Sequence, residues 1–159
     1  MEIDEVRNQA MKVMEDYLET IYDHVFQIVD THWELIRAME RRKPGWSEKS
    51  ELQLRCTRKG NSIIISWTRV RWYGSTQKGS RIRKFEHISK PAGSHGYTLS
   101  KLLGFAKDWE KPLVQETEER LAIIRHELSL VVKALTSLRY AIRASSINVA
   151  PTVSLKMNE

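Results

Sequence analysis

The sequence predicts an α+β domain: two long antiparallel helices packed with a three-stranded antiparallel β-meander and one short helix. Three observations carry this prediction. Apolar residues recur at alternating spacings of three and four in two long stretches, one towards each end of the chain. Between them lie three runs in which apolar and polar residues alternate, separated by Gly-containing turns. The roughly 70 residues between the two helical stretches are ample to return the chain, which favours an antiparallel pair.

The first helix is expected over 4–43. Met11, Met14, Leu18, Ile21, Val25, Ile28, His32, Leu35 and Met39 form its seam, with no Gly or Pro inside it. Tyr22, Val29 and Ile36 widen the stripe beyond what one partner helix needs, and with Trp33 they point to a homodimer. Arg41, Arg42 and Lys43 suit the negative end of the helix dipole, and Pro44-Gly45 stops the helix.

A basic β-meander follows over 50–90. Leu52, Leu54 and Cys56 alternate with Gln53, Arg55 and Thr57, and Lys59-Gly60-Asn61 makes a tight hairpin turn. The second strand runs from Ser62 to Tyr73, Gly74–Gly79 is a polar turn, and the third strand runs from Ser80 to Ile88. After a loop holding Pro91, Gly93 and Gly96, a short helix is expected over 97–109, capped by Thr98 and burying Leu99, Leu102, Leu103, Ala106 and Trp109. The second long helix, 112–144, opens on Pro112 and carries Val114, Thr117, Leu121, Ile124, Leu128, Val131, Leu135, Leu138 and Ile142 on its seam. Glu116, Glu118 and Glu119 read as charges at its positive start. Residues 145–159 show no period and read as a flexible tail, leaving 1–144 as a single domain.

Charge is segregated along the chain. Residues 1–40 hold three Lys and Arg against ten Asp and Glu, residues 41–111 hold seventeen against five, and residues 112–159 hold six against five. The net +6 therefore conceals a basic centre of +12 beside an acidic arm of −7. A basic meander of this kind is built for a polyanion, and nucleic acid is the first candidate. Anionic lipid is disfavoured because no basic amphipathic helix is present. No apolar run is long enough for a transmembrane helix, so no membrane partner is expected. An acidic N-terminus without an apolar signal region, and a single cysteine, Cys56, point to the cytoplasm.

Within the meander, the two-residue period puts Arg69 and Arg71 on one face of the second strand, and Arg81 and Arg83 on one face of the third. A hairpin can bring the two pairs together, where their mutual repulsion calls for an anion and their forks match phosphate oxygens or a guanine edge. Lys78 and Lys84 extend that footprint, and Arg55, Lys90 and Lys101 complete the candidate set. Double-stranded DNA held by a basic β-ribbon is favoured over single strands stacked on aromatics. Trp72 is expected in the core, whereas Trp67 is balanced between core and surface. The plainer alternative is a solvated sheet face whose Arg stems cover Trp67 and Tyr73.

An enzyme is not expected. His24, His32, His87, His95 and His126 are scattered without metal-ligand spacing, so neither metal nor cofactor is predicted. Cys56 sits at an apolar strand position and reads as a buried thiol. Gly93-Ser94-His95-Gly96 matches neither phosphate-loop pattern and reads as a connector.

The segments S-W-T-R-V-R-W-Y-G (66–74), K-P-A-G-S-H-G-Y-T-L-S-K-L (90–102) and F-A-K-D-W-E-K-P-L-V-Q-E-T-E-E-R-L (105–121) resemble the MobI-type auxiliary proteins of conjugative elements. The resemblance spans most of residues 50–140. It implies a non-catalytic accessory factor that recognises origin-of-transfer DNA and helps recruit or position a separate relaxase. It assigns no individual DNA contact. The rival reading is a coiled-coil adaptor whose basic sheet binds an acidic protein.

Overall fold

A heptad-like apolar seam needs a partner along its whole length, and here it finds one in the other long helix. In the computed structural model, which describes residues 2–43, 45–74, 79 and 81–147, helix α1 (Ile3–Glu40) lies against helix α3 (Lys111–Ile147). Each is about 55 Å long at 1.5 Å per residue. Glu15 meets Arg139 at 3.8 Å near one end and His32 Nδ1 meets Thr117 Oγ1 at 2.8 Å near the other, so the pair is antiparallel. Leu18, Ile21, Val25 and Ile28 bury against Val114, Leu121, Ile124, Leu128, Val131 and Leu135, as the seams predict.

The sheet takes the second apolar face of α1. Strands β1 (Leu52–Lys59), β2 (Ser62–Tyr73) and β3 (Ile82–His87) form an antiparallel meander in the order β1-β2-β3. Gly60 supplies the positive φ, +60°, that the first residue of a two-residue type II′ hairpin loop requires. Leu52, Leu54, Ile63, Ile65 and Trp67 join Tyr22 and Val29 in one core, and Ile36 is buried beside Leu52. Tyr22 Oη donates to the Asn61 carbonyl, and Trp33 Nε1 donates to that of Leu54. Of the residues that widen the stripe in the sequence, Tyr22, Val29 and Ile36 are buried within the chain and Trp33 is half-buried. Leu35, expected on the seam, is exposed at the rim of a groove it lines with Leu113 and Glu116 of α3 (Lys111–Ile147), and Ile36 is buried in its place.

Several element ends differ from expectation: α1 stops at Glu40 rather than at 43, and helix α2 (Leu99–Gly104) begins at Leu99 rather than at 97. Helix α2 stops at Gly104, and 105–110 form turns that lead into α3. There Glu110 Oε1 accepts the Lys107 N–H and the Glu110 carbonyl accepts that of Val114, closing the start of the helix. Strand β3 begins at Ile82 rather than at residue 80, and α3 continues through 145–147. A 3₁₀ turn, Trp46–Glu48, follows α1. The remainder of the expected tail, 148–159, lies outside the described residues.

One polar knot ties these layers together. Glu118, expected as an exposed helix-start charge, is buried on α3 beside Arg125, seven residues on. Its carboxylate accepts from Arg125 Nη1 (2.8 Å) and Nη2 (3.1 Å), Trp67 Nε1 (2.7 Å) and the Tyr97 N–H (2.8 Å). Arg125 also donates to the carbonyls of Ile65 and His95. The group that reads as a dipole complement in the sequence therefore pins β2 and the 90–97 loop to α3.

Candidate nucleic-acid interface

Residues directly opposite in an antiparallel ladder share a face. Leu54 opposite Trp67 defines the inner face, and Arg55 opposite Ser66 the outer one. On the other side of β2, Arg71 lies opposite Lys84, and Trp72 opposite Arg83. Arg69 and Arg71 therefore share the inner face with Lys84, while Arg83 projects outward. Arg81, just before β3, also lies on the outer side, with its guanidinium stacked on Trp46 and Trp72. The two arginine pairs do not converge, contrary to expectation. The β2–β3 register places them on opposite sides of the sheet.

The inner pair is already partnered. Arg69 donates twice to Glu51 Oε2 at 3.1 Å and lies over the Phe105 ring, and Arg71 donates to Glu86 Oε1 at 3.5 Å. Lys84 lies over the Tyr73 ring. The outer face is different. Here Lys49, Trp46, Arg81, Trp72, Arg83, Phe85 and Arg55 alternate cation and ring without a break. Arg81 sits 4.0 Å from the Trp46 centroid and 5.0 Å from that of Trp72, and Arg83 sits 5.9 Å from Trp72 and 4.7 Å from Phe85. Arg55 reaches across β2 from β1 to lie 5.4 Å from the same Phe85 ring. The three strands contain one carboxylate, Glu86, and it faces inward, opposite Arg69. The outer sheet face is thus positive and aromatic, with no strand carboxylate on it; Glu40, from the end of α1, borders it at the Trp46 end.

The two tryptophans exchange the expected environments in part. Trp67 is fully buried, at 0% exposure, whereas Trp72 is 45% exposed. The helices cover the odd-numbered side of β2 as far as the Trp67 region, and Trp72 is an even position on the opposite side, where Trp46 and the end of α1 border it without burying it. Trp46 and Phe85 belong to the same patch, and neither stands out in the sequence. Phe85 is recoverable, since it shares the parity of Arg83 on β3, but nothing in the sequence places Trp46, beyond the helix-breaking Pro44-Gly45, beside Trp72.

The other candidates are dispersed. Lys90 lies over the Tyr97 ring, its pKa pulled down by burial and by Arg125, and lines a groove of about 460 Å³ with His95, Lys133 and Leu128. Lys101 is exposed on α2, which packs on α3, and Lys78 lies outside the described residues. Cys56 is half-buried, and burial pushes its thiol up to about 11, so it is protonated at neutral pH. Among the described residues no cluster of three or more His, Cys, Asp or Glu stands ready for a metal ion, and no helix is long and apolar enough to cross a membrane.

The model of the family described as MobI protein matches residues 6–139, which covers α1, the whole sheet, α2 and most of α3. The chain belongs to the MobI family. This makes it a protein of conjugative mobilisation. No curated protein and no solved structure matches it. Both the buried Glu118–Arg125 knot and the cation–aromatic face fall within the MobI match.

Proposed function

We propose that this MobI-family protein is a non-catalytic accessory factor that binds double-stranded origin-of-transfer DNA through its sheet and helps recruit or position a separate relaxase. The observation that carries this reading is the outer sheet face, where Arg55, Arg81 and Arg83 stand among exposed rings with no strand carboxylate on that side. Phosphates supply the negative charge that such a surface lacks, and guanidinium forks bind them with defined geometry. Arg71, Lys78 and Lys84 extend the footprint around the β2–β3 ribbon, with Lys90 and Lys101 as more distant contacts. Arg69, clamped by Glu51, serves chiefly to hold the sheet. The exposed acids of α1, among them Glu15 and Asp16, repel DNA and leave that helix for a protein partner.

The test is binding of origin duplex and scrambled duplex at two salt concentrations. Affinity for both should fall steeply with salt, since each cation that meets a phosphate releases counterion. Replacing Arg55 and Arg83 together with Ala should weaken duplex binding and make the salt slope shallower by about one for each arginine that had neutralised a phosphate. Thermal stability should change little, because exposed cations contribute little to it. A folded double variant that binds origin duplex as tightly as the parent would overturn the proposal and favour an acidic protein as the sheet's ligand.

A further inference from the structure

Phosphate binding accounts for the arginines of the outer face but not for its rings. Trp46, Trp72 and Phe85 are 50%, 45% and 43% exposed, in a protein whose core takes in Trp67 whole. Leaving three large aromatics in water forgoes substantial burial free energy. In a duplex the bases stack on one another, so their faces are out of reach of a protein ring. Unpaired bases offer theirs.

We infer that this face binds single-stranded DNA, stacking about three unpaired bases, one on each of Trp46, Trp72 and Phe85. The inference deepens the nucleic-acid reading of the same face and rests on it. Cations interleave the rings, as a strand needs if its phosphates alternate with its bases. Lys49 sits 4.9 Å from the Trp46 centroid, Arg81 lies between the two tryptophans, and Arg83 and Arg55 flank Phe85. A guanidinium is itself planar and stacks on a base, so an arginine that leaves a ring can continue the pile. The rings also stand close together. Trp72 and Phe85 stand on hydrogen-bonded strands, and Trp46 meets Trp72 edge-on with centroids 5.7 Å apart. At the Trp46 end Glu40 lines the adjoining groove and accepts the Ser50 N–H.

The experiment uses three fluorescein-labelled probes with the full-length protein: a thymidine dodecamer, the same strand built from abasic sugars, and origin duplex. The thymidine strand should bind more tightly than its abasic twin, whose charge is identical, and should quench tryptophan fluorescence. Trp72→Ala and Phe85→Ala should each weaken thymidine-strand binding by roughly 5- to 100-fold. Each should leave the protein folded, by circular dichroism, and duplex affinity within about twofold, and Trp72→Phe should restore most of the loss of strand binding. Equal binding of the thymidine and abasic strands would overturn the inference. So would ring variants that weaken duplex and single strand alike, because the rings would then only position the arginines. If Arg55→Ala/Arg83→Ala leaves duplex binding intact while the ring effects on the thymidine strand appear, the duplex proposal fails and this inference stands. If no probe binds, both fail.

Discussion

Replacing Arg125 with Met tests whether the buried charge pair holds the domain together. Methionine keeps the length and flexibility of the side chain but removes its charge and all its donors. Two hydrogen bonds to Glu118 and those to the Ile65 and His95 carbonyls disappear. The Glu118 carboxylate stays buried, charged and supported only by Trp67 Nε1 and the Tyr97 N–H. Breaking one partner of a buried pair costs about 3–5 kcal/mol, much of it the uncompensated charge left behind. Against a typical domain stability of about 5–15 kcal/mol, that is a large fraction. Urea unfolding followed by circular dichroism should show a midpoint shifted well down, with an unchanged slope. Adding Glu118→Leu should recover part of the loss, since the second change removes the stranded charge. A single Arg125→Met variant within about 1 kcal/mol of the parent, or a double variant whose losses simply add, would refute this account of the knot.

Two buried titratable groups give opposite pH dependences. Burial pushes His32 down to about 4, so the folded protein holds it neutral where the unfolded chain, near 6.5, takes up a proton. Stability should therefore fall as pH drops from about 6.5 to about 4, by up to about 1.4 kcal/mol per pH unit, and His32→Asn should flatten that limb in pH-dependent urea titrations. Glu110 is fully buried, with Oε2 lacking a hydrogen-bond partner among the described residues, and burial, aided by Glu40, raises its pKa. Its unfolded form ionises first, so stability declines as pH rises from about 4.3. Glu110→Gln should thus melt higher than the parent at neutral pH and no higher below about pH 4; a lower melting point at neutral pH would refute the assignment.

The large features are legible in the sequence because they are periodic. Two seams and three alternating strands specify which faces are apolar, and burying those faces leaves few architectures. What escapes is what periodicity does not encode. Period two places Arg69 beside Arg71 and Arg81 beside Arg83, but it does not say which residue of β2 stands opposite which residue of β3. A shift of one residue in the turn reverses every face. The wide stripe on α1 is visibly too broad for one helix, yet sequence alone does not distinguish a sheet from a second copy as its cover. Glu118 misleads because a carboxylate near a helix start is ordinarily solvated. Its four donors come from α3, β2 and the 90–97 loop, and only the assembled fold brings them together.

Strand β3 is hydrogen-bonded to β2 only along Thr68–Tyr73, beyond the stretch of β2 that packs on the helices. Arg71, Trp72 and Tyr73 on one strand and Ile82, Arg83 and Lys84 on the other are all exposed, so the end of this ribbon has two wetted faces. A two-stranded ribbon without a covering layer is marginally stable by itself and twists more freely than a packed sheet. Its amides therefore open without dragging the helical pair apart, at a free energy below that of global unfolding. The ribbon can adjust its pitch to the contour of whatever it grips, while Glu118 and Arg125 keep the root of the same strand fixed. Compliance at the tip and rigidity at the base thus coexist within the twelve residues of β2.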